Sequence, residues 1–217
     1  MQKKLLVLFV TMLCARSYAQ ISFEKGYFID ESERKTECLI KNIDWKNNPS
    51  EFEYKLSQDG VSKVKTIKTT KEFGITGYSK FIRAHVNIDR SNDERISSLS
   101  TTRAPDFHKE ELFLKVLIEG KASLYYYEGG NTKRYFFKRE DQSEIQPLIF
   151  KKYITQNNKI GTNVGYKQQL WDALKCEEIS RSTIERLDYT QSSLAKIFIK
   201  YNSCTSSEYI SYKKGQN

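Results

Sequence analysis

From Lys25 to Tyr153 the chain runs in short β-branched and aromatic stretches in which apolar and polar positions alternate, separated by turn residues. A period of two broken by Gly, Asn, Asp and Pro predicts an antiparallel β region. The expected strands are Gly26–Ile29, Glu37–Ile43, Glu51–Leu56, Val64–Ile67, Phe81–Ile88, Leu112–Glu119, Ala122–Glu128, Arg134–Lys138 and Leu148–Tyr153. Turn chemistry supports the divisions: Asn47-Asn48-Pro49 parts the second strand from the third, and Asp59-Gly60 the third from the fourth. Gly129-Gly130-Asn131 joins Tyr125-Tyr126-Tyr127 to Tyr135-Phe136-Phe137 as a hairpin. The polar segment from Asp89 to His108, with Pro105 inside it, reads as a long mobile loop.

After Tyr153 the period changes. Gln156-Asn157-Asn158, Gly161 and Gly165 make a linker-like stretch, and helical spacing follows. Leu170, Trp171 and Leu174 share one helix face, and Ser182 with Glu185 suggests a capping box for a helix over Thr183–Leu187. Leu194, Ile197, Phe198 and Tyr201 fit a third amphipathic helix. The expected fold class is α+β: an antiparallel β-rich domain over residues 20–155, a small three-helix subdomain over 156–204, and a flexible polar tail over 205–217.

The N-terminus changes the picture of where this fold works. Lys3 and Lys4 precede the apolar run Leu5 to Leu13, and Ser17-Tyr18-Ala19 has the small-x-small pattern of a cleavage site. Residues 1–19 are therefore read as a secretory signal peptide, with a mature chain starting at Gln20. A membrane anchor needs about 20 apolar residues, and Thr11 and Arg16 cut this run short. Lipid attachment at Cys14 needs a small preceding residue, where Leu13 stands. Cleavage removes three bases and no acid, leaving 33 Lys and Arg against 27 acids and a net charge of about +6. That charge is spread along the chain rather than blocked, so it describes a solvated surface. Export also permits disulfides. Cys176 and Cys204 each close a predicted helix in the same segment, which predicts a bridge between them worth about 3–4 kcal/mol. Cys38 is left as a buried free thiol in a strand.

Catalytic chemistry is sparse. The two histidines, His85 and His108, belong to no ligand-spaced cluster, so neither a metal site nor a cofactor is expected. Neither a Gly-x-Ser-x-Gly elbow nor a Gly-rich loop ending in Gly-Lys-Ser/Thr occurs, and Gly161-Thr162-Asn163-Val164-Gly165 lacks the Lys-Ser that would follow. The stretch Asp89 to Glu94 lacks the glycine and the twelfth-position carboxylate of a calcium loop, where Ser100 stands. Glu110-Glu111 and Glu140-Asp141 are adjacent acids that face opposite ways, whereas glycoside hydrolysis needs two carboxyl groups converging on one bond. The densest aromatic and basic segment is the hairpin, with Tyr125, Tyr127, Arg134, Tyr135 and Phe137 as candidate binding residues for a glycan or peptide. The same residues equally suit a half-buried sheet with cross-strand aromatic pairs.

Several stretches taken as a set resemble an exported family of Gram-negative bacteria. They are Gly26-Tyr27-Phe28-Ile29-Asp30, the run from Glu37 to Pro49 around Trp45, Lys71-Glu72-Phe73-Gly74-Ile75, Phe81-Ile82-Arg83-Ala84 with Val86-Asn87-Ile88-Asp89-Arg90, and Glu119-Gly120-Lys121-Ala122-Ser123-Leu124-Tyr125. Gln169-Leu170-Trp171, Leu174-Lys175-Cys176 and Phe198-Ile199-Lys200-Tyr201-Asn202 with Cys204 complete it. Members carry this region as an N-terminal extracytoplasmic domain, commonly ahead of an outer-membrane β-barrel. The resemblance implies an envelope role, in the periplasm or at the cell surface, and makes the cysteine pair a shared feature. This chain ends thirteen residues after Cys204, so it is expected to lack the barrel, either as a soluble relative or as a truncated sequence. Some members have been labelled tRNA-modification GTPases. The missing phosphate loop argues against that label here, and Asn158-Lys159-Ile160-Gly161 has glycine where the guanine-reading motif needs aspartate. The leading expectation is a non-enzymatic envelope domain that binds another envelope protein or a barrel, with no nucleotide and no nucleic acid as ligand. Glycan or peptide binding through the hairpin is the alternative, and an envelope hydrolase the third.

Overall fold

The computed structural model describes residues 22–212. The expected signal peptide, its cleavage site before Gln20 and residues 213–217 lie outside the described residues.

Ten strands form one continuous antiparallel path. In chain order they are β1 (Phe23–Asp30), β2 (Lys35–Lys41), β3 (Glu51–Lys55), β4 (Lys63–Thr66), β5 (Thr70–Ile75), β6 (Ser79–Asp89), β7 (Phe107–Glu119), β8 (Ala122–Gly129), β9 (Thr132–Arg139) and β10 (Gln146–Pro147). Their order across the sheet is β10-β9-β8-β7-β6-β5-β1-β2-β3-β4. A separate hairpin, β11 (Lys151–Ile154) with β12 (Ile160–Asn163), leads into helices α1 (Gly165–Ala173), α2 (Arg181–Glu185) and α3 (Gln191–Cys204). A last short strand, β13 (Ile210–Ser211), pairs with the end of β7 that β6 does not reach. The α+β class expected from the two periodicities is the fold observed.

Strand alternation distributes the apolar residues onto two faces. On one face of β1–β7, Phe28, Ile40, Phe52, Phe73, Phe81 and Phe113 form a core in which the Phe73 ring stacks between Phe52 and Phe81 at 4.1 and 4.9 Å. On the opposite face of β6–β9, Ala84, Val86, Ile88, Leu114, Val116, Tyr125 and Phe136 close against each other, with β10 returning beside β6. The helices pack over β7, β8 and β9. Leu170, Leu174, Ile184, Leu194, Ile197 and Phe198 share one cluster with Leu117, Leu124, Tyr135 and Phe137, so they bury their apolar stripes against the sheet. Full burial of each such side chain contributes roughly 1.5–3 kcal/mol. Asn202 of α3, fully buried, fixes the contact: its amide donates to the Ala122 carbonyl and accepts from the Ala122 N–H, both at 2.9 Å. The bridge Cys176–Cys204 is present, with Cα atoms 6.4 Å apart, and ties the segment after α1 to the end of α3.

Several elements differ from expectation, each for an identifiable reason. β5 was not among the expected strands, because Lys71, Glu72 and Gly74 break the apolar alternation. Gly74 is required there, since a Cβ would sit 2.4 Å from the Ser79 carbonyl oxygen. Of the strand expected over Leu148–Tyr153 only the second half forms, within β11, and β10 ends before it at Pro147. In between, Leu148 O accepts from the Tyr189 hydroxyl, Ile149 N–H donates to Gln169, and Ile149 O accepts from Tyr166 N–H, so this backbone serves the helices. The linker-like stretch after Tyr153 contains β12. The cap of α2 is Ser180, whose extended backbone lets its hydroxyl accept from Thr183 N–H, and Ser182 lies inside the helix.

The connection between β6 and β7, residues 90–106, is a strap held at several points by the β11–β12 hairpin. Lys151 Nζ, almost fully buried, donates to Ala104 O at 2.9 Å, Ile154 N–H to Ser100 O at 2.8 Å, and Asn163 to Arg103 O at 3.1 Å. The described part of the tail, up to Tyr212, runs along β7, with Tyr212 N–H donating to Leu117 O at 3.0 Å.

Candidate partner-binding site

The hairpin residues singled out from the sequence divide between both faces of the sheet. Tyr125 and Arg134 point to one side and Tyr135 and Phe137 to the other, as their cross-strand partners Phe136, Tyr127, Tyr126 and Leu124 require. Tyr125, Arg134, Tyr135 and Phe137 are all buried, at 8, 6, 6 and 2 % exposure. Tyr135 packs edge-on against Tyr189 at 5.0 Å, and Phe137 against Phe198. Tyr127 alone among the five is partly exposed, and Arg90 lies over its ring at 4.7 Å while donating to its hydroxyl at 3.1 Å. These residues therefore do not form an exposed stacking platform. The signal that could have shown this is the unbroken aromatic run on both strands, since a strand apolar at every position is covered on both faces.

Arg134 is an internal clamp. Its guanidinium donates to Asp89 O and Ser91 O, each at 2.8 Å, to Lys133 O at 2.9 Å, and to the Asp93 carboxylate. Asp93 in turn accepts from Lys152 N–H at 2.8 Å. Asp89 lies 3.7 Å from Lys151 Nζ. Burial works against its charge, but the Ser91 hydroxyl and N–H together with Lys151 outweigh burial and hold its pKa below the usual carboxylate value. A second network joins β1, β5, β6, β7 and Tyr212: Lys80 lies 3.2 Å from Glu72 and 2.8 Å from Glu119, Tyr27 donates to Glu72 at 2.6 Å, and Tyr212 to Glu119 at 3.2 Å. Burial opposes the Lys80 charge, and the two carboxylates overcome it and raise its pKa. Each group in this network has its partner, as structural charges do. Cys38 is buried in β2, and burial pushes its thiol up to about 11. Among the described residues no three His, Cys, Asp or Glu side chains are grouped to hold a metal.

One feature without an internal role among the described residues is a groove at the other end of the sheet. Between β3, β4 and the β2–β3 connection lies a depression of about 390 Å³ lined by Ile43, Trp45, Pro49, Phe52 and Val64, with Lys41, Glu51 and Glu53 at its rim. Ile43 and Val64 are 50 and 55 % exposed. Large apolar side chains gathered on a surface mark interaction sites more than single ones do.

The connection that builds this groove is rigid. Trp45 sits edge-on against Phe73 and Phe81 at 5.7 and 5.5 Å. Asp44 takes a positive φ of 42°, and its N–H donates to the Asn42 side chain at 2.9 Å. Asn48 enters the fork where β7 and β8 part, beyond the Lys115–Tyr126 pair. Its side chain donates to Phe113 O and Tyr126 O at 2.8 and 2.9 Å and accepts from Glu128 N–H at 3.0 Å. Its own N–H donates to Glu128 O at 2.7 Å. The turn expected at Asn47-Asn48-Pro49 is thus a fastening point. Sequence reasoning did not select Ile43, Trp45 and Val64 as a site, because nothing local shows that β4 lies at a sheet edge.

Among the described residues no helix is long and apolar enough to cross a membrane. No protein family, curated protein or solved structure matches the chain.

Proposed function

We propose that this protein is a non-enzymatic interaction domain of the bacterial cell envelope, exported by its leader and engaging another envelope protein. The observation that carries this reading is the preformed apolar groove of Ile43, Trp45 and Val64 beside a sheet edge that is unpaired among the described residues. The leader pattern at residues 1–19, the bridge between Cys176 and Cys204 and the resemblance to extracytoplasmic domains all favour it. A rigid groove also suits binding, because a surface held in one shape loses little entropy when a partner seats.

The test places a photo-reactive amino acid at Val64 in the protein expressed in Gram-negative cells. Irradiation is expected to give one discrete adduct with an envelope protein in the periplasmic or membrane fraction. Ile43→Glu should abolish that adduct, and Lys196→Glu, a substitution on α3, should not. An adduct pattern indifferent to Ile43→Glu would overturn the proposal. N-terminal sequencing of the same preparation should begin at Gln20, and a chain recovered from the cytosol beginning at Met1 would refute export.

A further inference from the structure

Among the described residues β4 ends the strand order and is paired with β3 on one side only. The register decides which of its backbone groups are already used. Ile67 N–H donates to Ser50 O at 2.9 Å, one step beyond the Thr66–Glu51 pair. Hydrogen-bonded and non-bonded pairs alternate in an antiparallel ladder. Lys63 and Lys65 therefore turn their N–H and C=O groups to β3, while Val64 and Thr66 turn theirs outward, where the Thr66 carbonyl accepts from the Thr69 hydroxyl at 3.3 Å.

Side chains alternate about the sheet plane in the other sense. Lys63 and Lys65 lie on the face of Tyr54 and Phe52, and Lys65 Nζ rests 5.1 Å from the centre of the Phe28 ring. Val64 lies with Glu53 on the opposite face and lines the groove with Ile43. Nearby Lys41 and Lys68 are paired with Glu53 and Glu111, whereas Lys63 and Lys65 have no carboxylate partner among the described residues.

Resting on the reading of this face as the partner-binding site, we infer that β4 takes up an extended acidic segment of the partner by strand addition, with the local pattern acidic–apolar–acidic. The apolar residue lies opposite Val64, exchanges backbone hydrogen bonds with it and fills the groove beside Ile43. The two acids lie opposite Lys63 and Lys65 and supply the charge those lysines lack. A second copy of β4 does not fit, because antiparallel self-pairing about Val64 sets Lys63 opposite Lys65, and like charges directly opposite are destabilising. Edge lysines protect a strand from pairing with its own kind, and here the same two residues select an oppositely charged strand. Main-chain bonds then give affinity and alternate side chains give specificity, as in other strand additions.

The probe is a fluorescein-labelled peptide, Ser-Thr-Glu-Val-Glu-Thr-Ser, titrated by anisotropy with the chain from Gln20 to Asn217. Saturable binding is expected, and replacing both peptide glutamates with lysine should weaken it about tenfold. N-methylation of the central valine should abolish binding, whereas N-methylation of either glutamate, whose N–H points away from β4, should leave it within about threefold. Lys63→Glu with Lys65→Glu should reverse the preference toward the lysine peptide, with an unchanged circular dichroism spectrum as the check on folding. Absent binding, indifference to peptide charge, or an N-methyl scan without period two would each overturn the inference. If the Val64 adduct forms and is lost with Ile43→Glu while the peptide results fail, strand addition falls and partner binding at the groove stands. If both fail, both fall.

Discussion

Replacing Arg134 with alanine separates two opposite assignments of that residue. As a ligand-binding cation it would be dispensable for folding, and its loss would shift stability by no more than about 0.5 kcal/mol, as surface substitutions do. The structure makes it a clamp with a side chain 7 % exposed, paired to an Asp93 carboxylate 12 % exposed. It also satisfies the carbonyls of Asp89, Ser91 and Lys133. Removing one member of a buried pair leaves the other charge uncompensated and costs about 3–5 kcal/mol. With a urea m-value of about 2–3 kcal/mol/M, the midpoint should fall by roughly 1–2.5 M. Equilibrium unfolding followed by fluorescence of Trp45 and Trp171 measures it. The strap from Asp89 to Ala104 should also become a site of limited proteolysis in the variant, because its anchors are lost. A midpoint within about 0.2 M of the parent would refute the clamp, and the buried-pair reasoning with it.

Tyr135→Ala should cost about 3–5 kcal/mol in the same assay and Tyr127→Ala under about 1.5, reflecting core against half-exposed positions; equal losses would contradict the burial assigned to them. Cys176→Ser with Cys204→Ser should lower stability by about 3.6 kcal/mol in the chain-entropy account for a 28-residue separation, read as a fall in thermal midpoint, and an unchanged midpoint would refute it. Cys38, with a thiol pKa near 11, should be thiolate at only about one part in a thousand at pH 8. It should resist a thiol-reactive dye in the native chain from Gln20 onward and react as the single free thiol in urea; rapid native labelling would count against its burial. Because the folded-state pKa of Asp89 is lowered, its contribution is fully present above the unfolded carboxylate value of about 3.9 and is lost as pH falls through the folded value. Thermal midpoints between pH 2 and 6 should drop on that acid limb, less steeply for Asp89→Asn, and identical limbs would exclude Asp89 as a source.

Local patterns were enough to determine the class of this fold. Period two across β1–β3 and β6–β9, the Gly130 turn with its positive φ of 60°, and the spacing of Leu194, Ile197, Phe198 and Tyr201 are properties of neighbouring residues, and the structure preserves them. The bridge from Cys176 to Cys204 was legible for the same reason, since both cysteines lie in one segment, Cys176 shortly after α1 and Cys204 at the end of α3. Long-range arrangement decided the rest. Whether Tyr135 is a platform or a core residue depends on helices that begin some thirty residues later, and whether Arg134 meets solvent depends on a strap from the far side of β6. The groove of Ile43, Trp45 and Val64 exists because Asn48 finds unpaired carbonyls at the parting of β7 and β8, and because β4 comes last in the sheet. Alternation tells which residues share a face; only the assembled sheet tells whether that face, or that edge, has a neighbour.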